Sequence, residues 1–129
     1  MKRHSALIRY SREHHSALVI AKRAQYAAGN TNDSMVHLAS DIAREFECEI
    51  KPHFQREECN LLSRLDYKKH HALIEQTLSE HNALCALADR LMAGDVNALN
   101  TFGELLVDHV RFEERELFPV IESTFDPLP

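Results

Sequence analysis

Material for tight turns is scarce. Three glycines and four prolines serve 129 residues, and no stretch shows the period-two alternation of a strand, so sheet-based folds lose support. Tryptophan is absent, and the three cysteines (Cys48, Cys59 and Cys85) form no CxxC. Neither a disulfide framework nor a cysteine-rich zinc site is indicated. Fifteen basic residues face twenty acidic ones, for a net charge of −5. With no Lys/Arg-dense stretch flanked by aromatics, a nucleic-acid partner is not expected. No apolar run approaches the roughly 18 residues a membrane span needs, and MKRHSALIRYSREHH lacks the apolar core of a secretion signal. The expectation is a cytoplasmic protein without a membrane partner. What the chain does have is histidine, nine in all.

Breakers divide the chain into four long helical segments. The first runs from about His4 to Ala28 and stops at GNTN. Asp33 or Ser34 can cap a second that continues to about Leu65. Its inward stripe reads Ala39, Ile42, Phe46, Ile50, His53, Glu57 and Leu61, at spacings of three and four. Asp66 can cap a third reaching Met92, and Ala93-Gly94-Asp95 stops that helix and caps a fourth, about Val96 to Ser123. The tail FDPLP reads as irregular. Pro52 and Pro119 fall inside periodic stretches and predict kinks. Four such helices with short connections predict an all-α fold, an antiparallel up-down-up-down four-helix bundle, as one domain over residues 1–129.

The histidines recur in a pattern. PHFQREEC (52–59) and DHVRFEER (108–115) each hold a His, three residues, then two Glu. EHHSAL (13–18) and EHNAL (80–84) form a second recurrence on the first and third segments. Residues four apart on a helix share a face, about 6 Å apart along the axis. His53 with Glu57, and His109 with Glu113, therefore stack inward. Metal sites in four-helix bundles are built from such inward side chains on facing helices. Adding one His from each of the other helices makes four imidazoles and two carboxylates. If both carboxylates bridge, each of two metals receives two nitrogens and two oxygens. Six-coordinate ions would keep room for an oxo or hydroxo bridge and a small exogenous ligand. This donor set suits iron or manganese, and zinc less specifically. A single inward His is more often a hydrogen-bonded core residue. Two copies of the pair reverse that weighting, because two buried carboxylates without a cation are strongly destabilising. The Glu-x-x-His pairs of ferritin-type sites and HExxH are both absent.

KPHFQREE and LVDHVRFEERELFPVIE closely resemble the two signature segments of the hemerythrin-like (HHE) cation-binding domain, and the resemblance covers essentially the whole chain. It implies a dinuclear metal site in the bundle core, with two iron ions. The implied ligands are His53, Glu57, His81, His109 and Glu113, with Glu57 and Glu113 bridging. On the first helix the ligand is His14 or His15. His14 shares a stripe with Leu7, Leu18 and Ala21 and follows a Glu as His81 does, whereas His15 shares its stripe with Arg12 and Lys22. HSAL, however, aligns with HNAL. The chain departs from the oxygen-carrier branch, which has a second His one turn from the third-helix ligand, where this chain has Thr77 and Cys85. The carriers' fourth-helix carboxylate is an Asp five residues after the His, not a Glu four after. The four-His, two-Glu set looks instead like the branch of di-iron proteins in iron–sulfur repair, nitric-oxide response and iron sensing.

His70 lies about 16 Å along the axis from His81, too far for the same metals, and it and His71 read as structural or surface residues; His4 and His37 carry no partner signal. Cys85, Phe112 and Phe118 read as core. The leading reading is a non-haem di-iron protein that binds or responds to O2, peroxide or NO. One alternative is a di-iron enzyme or repair factor that turns over peroxide or NO or donates iron to damaged clusters. Another is a redox-silent divalent-metal bundle with a structural or interaction role. No catalytic acid or base outside the ligands is identifiable, which leans against an enzyme. A protein partner is not legible in the sequence.

Overall fold

A computed structural model describes residues 3–29 and 34–125. The described residues form four helices and no strand. Helix α1 is Ser5–Ala28. Helix α2 spans 34–60, as α-helical Ser34–Glu45, a π turn Phe46–Ile50, and α-helical Lys51–Asn60. Helix α3 is Tyr67–Met92. Helix α4 spans 99–122, as α-helical Leu99–Phe112, a π turn Glu113–Leu117, and Phe118–Glu122.

The helix ends follow their local chemistry. The Asp66 side chain accepts from the Lys68 amide at 3.1 Å at the start of α3, and Asp95 accepts from Asn97 at 3.1 Å at the start of the short 3-10 turn Val96–Ala98 that leads into α4; both satisfy amides that a helix start leaves unpaired. Gly94 turns with φ of +92°, a left-handed conformation that glycine adopts without a Cβ penalty. At the other N-terminus His4 is the cap, its Nδ1 accepting from Ala6 at 3.0 Å. The expected cap at Asp33 and most of the tail lie outside the described residues.

Where the two prolines predict kinks, the structure has π turns. Proline supplies no amide, and its ring clashes with the carbonyl four residues back. The amide just before each proline instead reaches five residues back, Lys51 to Phe46 and Phe118 to Glu113, and the helix continues. Such single-turn π segments are frequent at functional sites. A second irregularity has no sequence warning: His70 leaves helical geometry (φ −123°, ψ 26°) inside the first turn of α3.

The predicted α2 stripe is buried throughout, from Ala39 to Leu61. The apolar core falls into two clusters, the larger drawing on all four helices and the smaller on α1, α3, α4 and the segment 61–65 that follows α2. The larger includes Ala21, Ile42, Phe46, Leu84 and Phe102, and the smaller includes Leu7, Leu61, Ile74, Leu117 and Phe118. Helices α1 and α4 approach closely at Gly103, where a Cβ would lie 2.7 Å from Gln25 Cγ and 2.9 Å from the Ala21 carbonyl oxygen.

Candidate metal centre

Between the two apolar clusters lies a polar layer. Within it the structure brings together His14 from α1, His53 and Glu57 from α2, His81 from α3, and His109 and Glu113 from α4. None of the six is more than 4 % exposed. His15, the alternative on the first helix, is exposed and faces away from this layer. The reason is angular: successive helical residues point about 100° apart, and His14 shares its face with buried Leu7, Tyr10, Ala17 and Ala21.

The donors sort into two sets that share both carboxylates: His14, His53, Glu57 and Glu113 in one, and His81, His109, Glu57 and Glu113 in the other. Each carboxylate turns one oxygen to each set. Oε2 of Glu57 is 2.9 Å from Nε2 of His53 and 3.7 Å from that of His14, while Oε1 is 3.1 Å from Nε2 of His81. Oε1 of Glu113 is 2.8 Å from Nε2 of His14, while Oε2 is 3.1 Å and 3.4 Å from those of His109 and His81. All four imidazoles present Nε2 inward.

These separations are short, yet few are hydrogen bonds. Nε2 of His53, His81 and His109, both oxygens of Glu57, and Oε2 of Glu113 are buried without a hydrogen-bond partner. Buried polar atoms are nearly always paired, and leaving several facing one another is costly. Cations at the two donor sets would satisfy them together, so the residues fit a pair of metal ions.

Protonation responds to the same crowding. Burial disfavours the His14 imidazolium, but the carboxylates of Glu113, Glu114 and Glu57 outweigh it and push its pKa up to about 11. His81 loses to burial and gains more from Glu113 and Glu57, reaching about 10. His109 is raised likewise, burial being overcome by Glu113 and Glu80. Burial alone would raise Glu113, but His109, His14 and His81 hold it well below the usual carboxylate range. Without metal, protons take over the charge balance, and metal binding must displace them.

The walls of the layer are aromatic. Phe54 stacks on His81 at 3.8 Å between ring centroids, Phe118 stacks on His14 at 5.2 Å, and Tyr10 meets His53 edge-on. Thr77, one turn before His81, is buried with its hydroxyl donating to the Leu73 carbonyl. Cys85 is half-buried against the larger apolar cluster. His37, His70 and His71 lie outside the donor sets, as expected, and His4 stacks on Phe125.

One group of residues was not anticipated from sequence. Glu13, Glu58, Glu80 and Glu114 each accept a hydrogen bond from the outward Nδ1 of a site histidine: His53, His81, His109 and His14 respectively, at 2.6–2.8 Å. Their signal was present as the Glu before His14 and His81 and the Glu after Glu57 and Glu113.

A helical bundle whose core is crossed by four imidazoles around two shared carboxylates is a cation-binding bundle. The chain belongs to the hemerythrin HHE cation-binding domain family, which it matches over residues 6–121. Comparisons with curated proteins and with solved structures found no match. Family and donor clusters together make this a metal-binding protein. None of its described helices is long and apolar enough to cross a membrane.

Proposed function

We propose that this protein is a non-haem di-iron protein that binds or responds to a small ligand, O2, a peroxide or NO. The observation that carries this is the division of six buried donors into two sets sharing both carboxylates. His14 and His53 would hold one iron, His81 and His109 the other, and Glu57 and Glu113 would bridge them. Imidazole and carboxylate together suit iron among the redox metals; manganese and zinc are the competing ions. When bound, iron supplies reversible electron exchange and affinity for diatomic and peroxide ligands. The protein's own part is to fix the donors, neutralise charge and exclude water behind Phe54, Phe118 and Tyr10.

The buried polar residues among those described are the six donors and Thr77, and Thr77 is engaged with its own helix. Among the described residues no carboxylate or imidazole beyond these six is buried at the site, which favours ligand binding and response over multi-step acid–base turnover. We read the fold as a single domain with an antiparallel up-down-up-down arrangement. In support, Arg3 before α1 pairs with Glu114 and Glu122 of α4, Gly103 early in α4 meets Ala21 and Gln25 late in α1, and Ser40 early in α2 meets Met92 at the end of α3. Cytoplasmic residence accords with three free cysteines.

The test is anaerobic purification with metal analysis, then optical spectra before and after O2, hydrogen peroxide and NO. Two irons per chain and a spectrum that changes with one of these ligands are expected. Zinc alone, or iron whose spectrum ignores all three, would overturn the reading. Bridging is tested separately by Glu57→Gln and Glu113→Gln, each expected to lower iron below two per chain and alter the near-ultraviolet bands. Full occupancy and unchanged spectra in both would sink the bridging assignment.

A further inference from the structure

The four outer carboxylates form a closed circuit. Glu13 of α1 accepts from His53 of α2, and Glu58 of α2 accepts from His81 of α3. Glu80 of α3 accepts from His109 of α4, and Glu114 of α4 accepts from His14 of α1. Every helix thus carries one inward histidine and holds the histidine of the next helix. Each outer carboxylate is adjacent in sequence to an inner donor, so one turn of helix serves two neighbours at once.

Three of the four carboxylates are themselves held. Arg56 donates to Glu13 at 2.6 Å. Gln76 donates to Glu80 at 3.0 Å. Ser11 and Arg3 donate to Glu114 at 2.8 Å and 3.1 Å. Their side chains are 20–39 % exposed, with Glu58 the most open, so they stand between the dry layer and solvent.

An ionised carboxylate only accepts, so each contact requires a proton on Nδ1. In a neutral imidazole that leaves the lone pair on Nε2, the atom each ring turns toward Glu57 and Glu113. Which nitrogen of a histidine is available is set by the bond the other one makes.

We propose that Glu13, Glu58, Glu80 and Glu114 are positioning residues of the metal centre. Each fixes the tautomer and plane of the imidazole on the next helix, and the four act as one inter-helix ring. This rests on the reading of the four histidines as metal ligands. A charge on the surface of the site would not depend on hydrogen-bond geometry; a positioning residue does. Glutamine keeps an accepting oxygen where alanine does not, so the two substitutions separate these cases.

The experiment uses the full chain loaded with zinc(II), a diamagnetic probe that permits long-range proton–nitrogen correlation spectra of the imidazoles. In the wild type all four site histidines should show Nδ1–H with Nε2 bound. Glu58→Ala on α2 should disturb the Nδ1–H signal of His81 on α3, and Glu80→Ala on α3 that of His109 on α4. Each should weaken zinc binding about 10–100-fold in chelator competition. Glu58→Gln and Glu80→Gln should restore most of both. Glu116→Ala, which removes the same charge from an exposed position, should do neither, and circular dichroism reports whether each variant is folded. If wild type takes up two zinc ions and both alanine variants keep signal and affinity, the ring has no positioning role. If glutamine is as damaging as alanine, charge rather than hydrogen bonding is responsible and the proposal fails. If wild type takes up no zinc, the ligand reading itself falls, and the ring's role with it.

Discussion

At the scale of single residues, the centre turns on which side of a helix a histidine occupies. His14 and His15 are chemically identical neighbours, yet only His14 has carboxylates against both ring nitrogens, Glu113 at 2.8 Å and Glu114 at 2.6 Å. His14→Ala is expected to lose metal, and His15→Ala to retain two ions per chain by metal analysis. The proton balance leads to a second expectation, for the chelated protein. Folded His14 and His81 titrate near 11 and 10 against an ordinary 6.5. A pKa raised on folding adds stability that is fully present below about 6.5 and is lost as pH rises through the folded values. Glu113 is depressed from 4.5, so its contribution is present above 4.5 and lost on acidification. Thermal melts in EDTA should therefore peak between about pH 4.5 and 6.5 and fall toward pH 11. A melting temperature independent of pH from 6.5 to 10 would rule out imidazolium–carboxylate pairing in the chelated core.

At the scale of helices, the tightest joint is α1 against α4. Gly103 allows it, since a Cβ there would meet the backbone of Ala21 as well as the flexible Gln25 side chain. Gly103→Val should cost about 1–3 kcal/mol through overpacking, read as a lower denaturant midpoint with metal content retained. A midpoint equal to wild type would mean that the two helices can move apart freely. Helix placement was legible because its signals are local: aspartates at 66 and 95, a glycine at 94, and a stripe of threes and fours from Ala39 to Leu61. The inner donors were legible because His-x-x-x-Glu occurs twice on predicted inward faces. The form of the response to Pro52 and Pro119 was not. A missing amide announces a disruption, but whether the helix bends or widens depends on what its neighbours require. The outer glutamates escaped for a related reason. Glu13 adjoins His14 in sequence but serves His53 across a helix boundary, and pairing between helices is a tertiary fact that no single-helix periodicity encodes.

At the scale of the whole molecule, the polar layer interrupts the apolar core. The larger cluster lies on one side and reaches the layer through Phe54, stacked on His81; the smaller lies on the other and reaches it through Phe118, stacked on His14. Metal binding to the folded state alone adds stability by mass action, about 4 kcal/mol at a thousandfold excess over the dissociation constant. Chelation should therefore lower the melting temperature, and a melt indifferent to EDTA would mean that the layer holds without cations. The arrangement has a consequence for cooperativity. With cations in place the two halves share strong cross-links and should melt as one unit. Without them, what joins the halves is the helices themselves and a layer of mutually repelling carboxylates held by protons. Amides in the half with the smaller apolar mass, around Leu7, Leu61, Ile74 and Ile121, should then exchange with solvent through openings that leave the half around Phe46 and Phe102 intact. Metal loss would then show first as a loosening of the end of the bundle that holds Leu7 and Ile121.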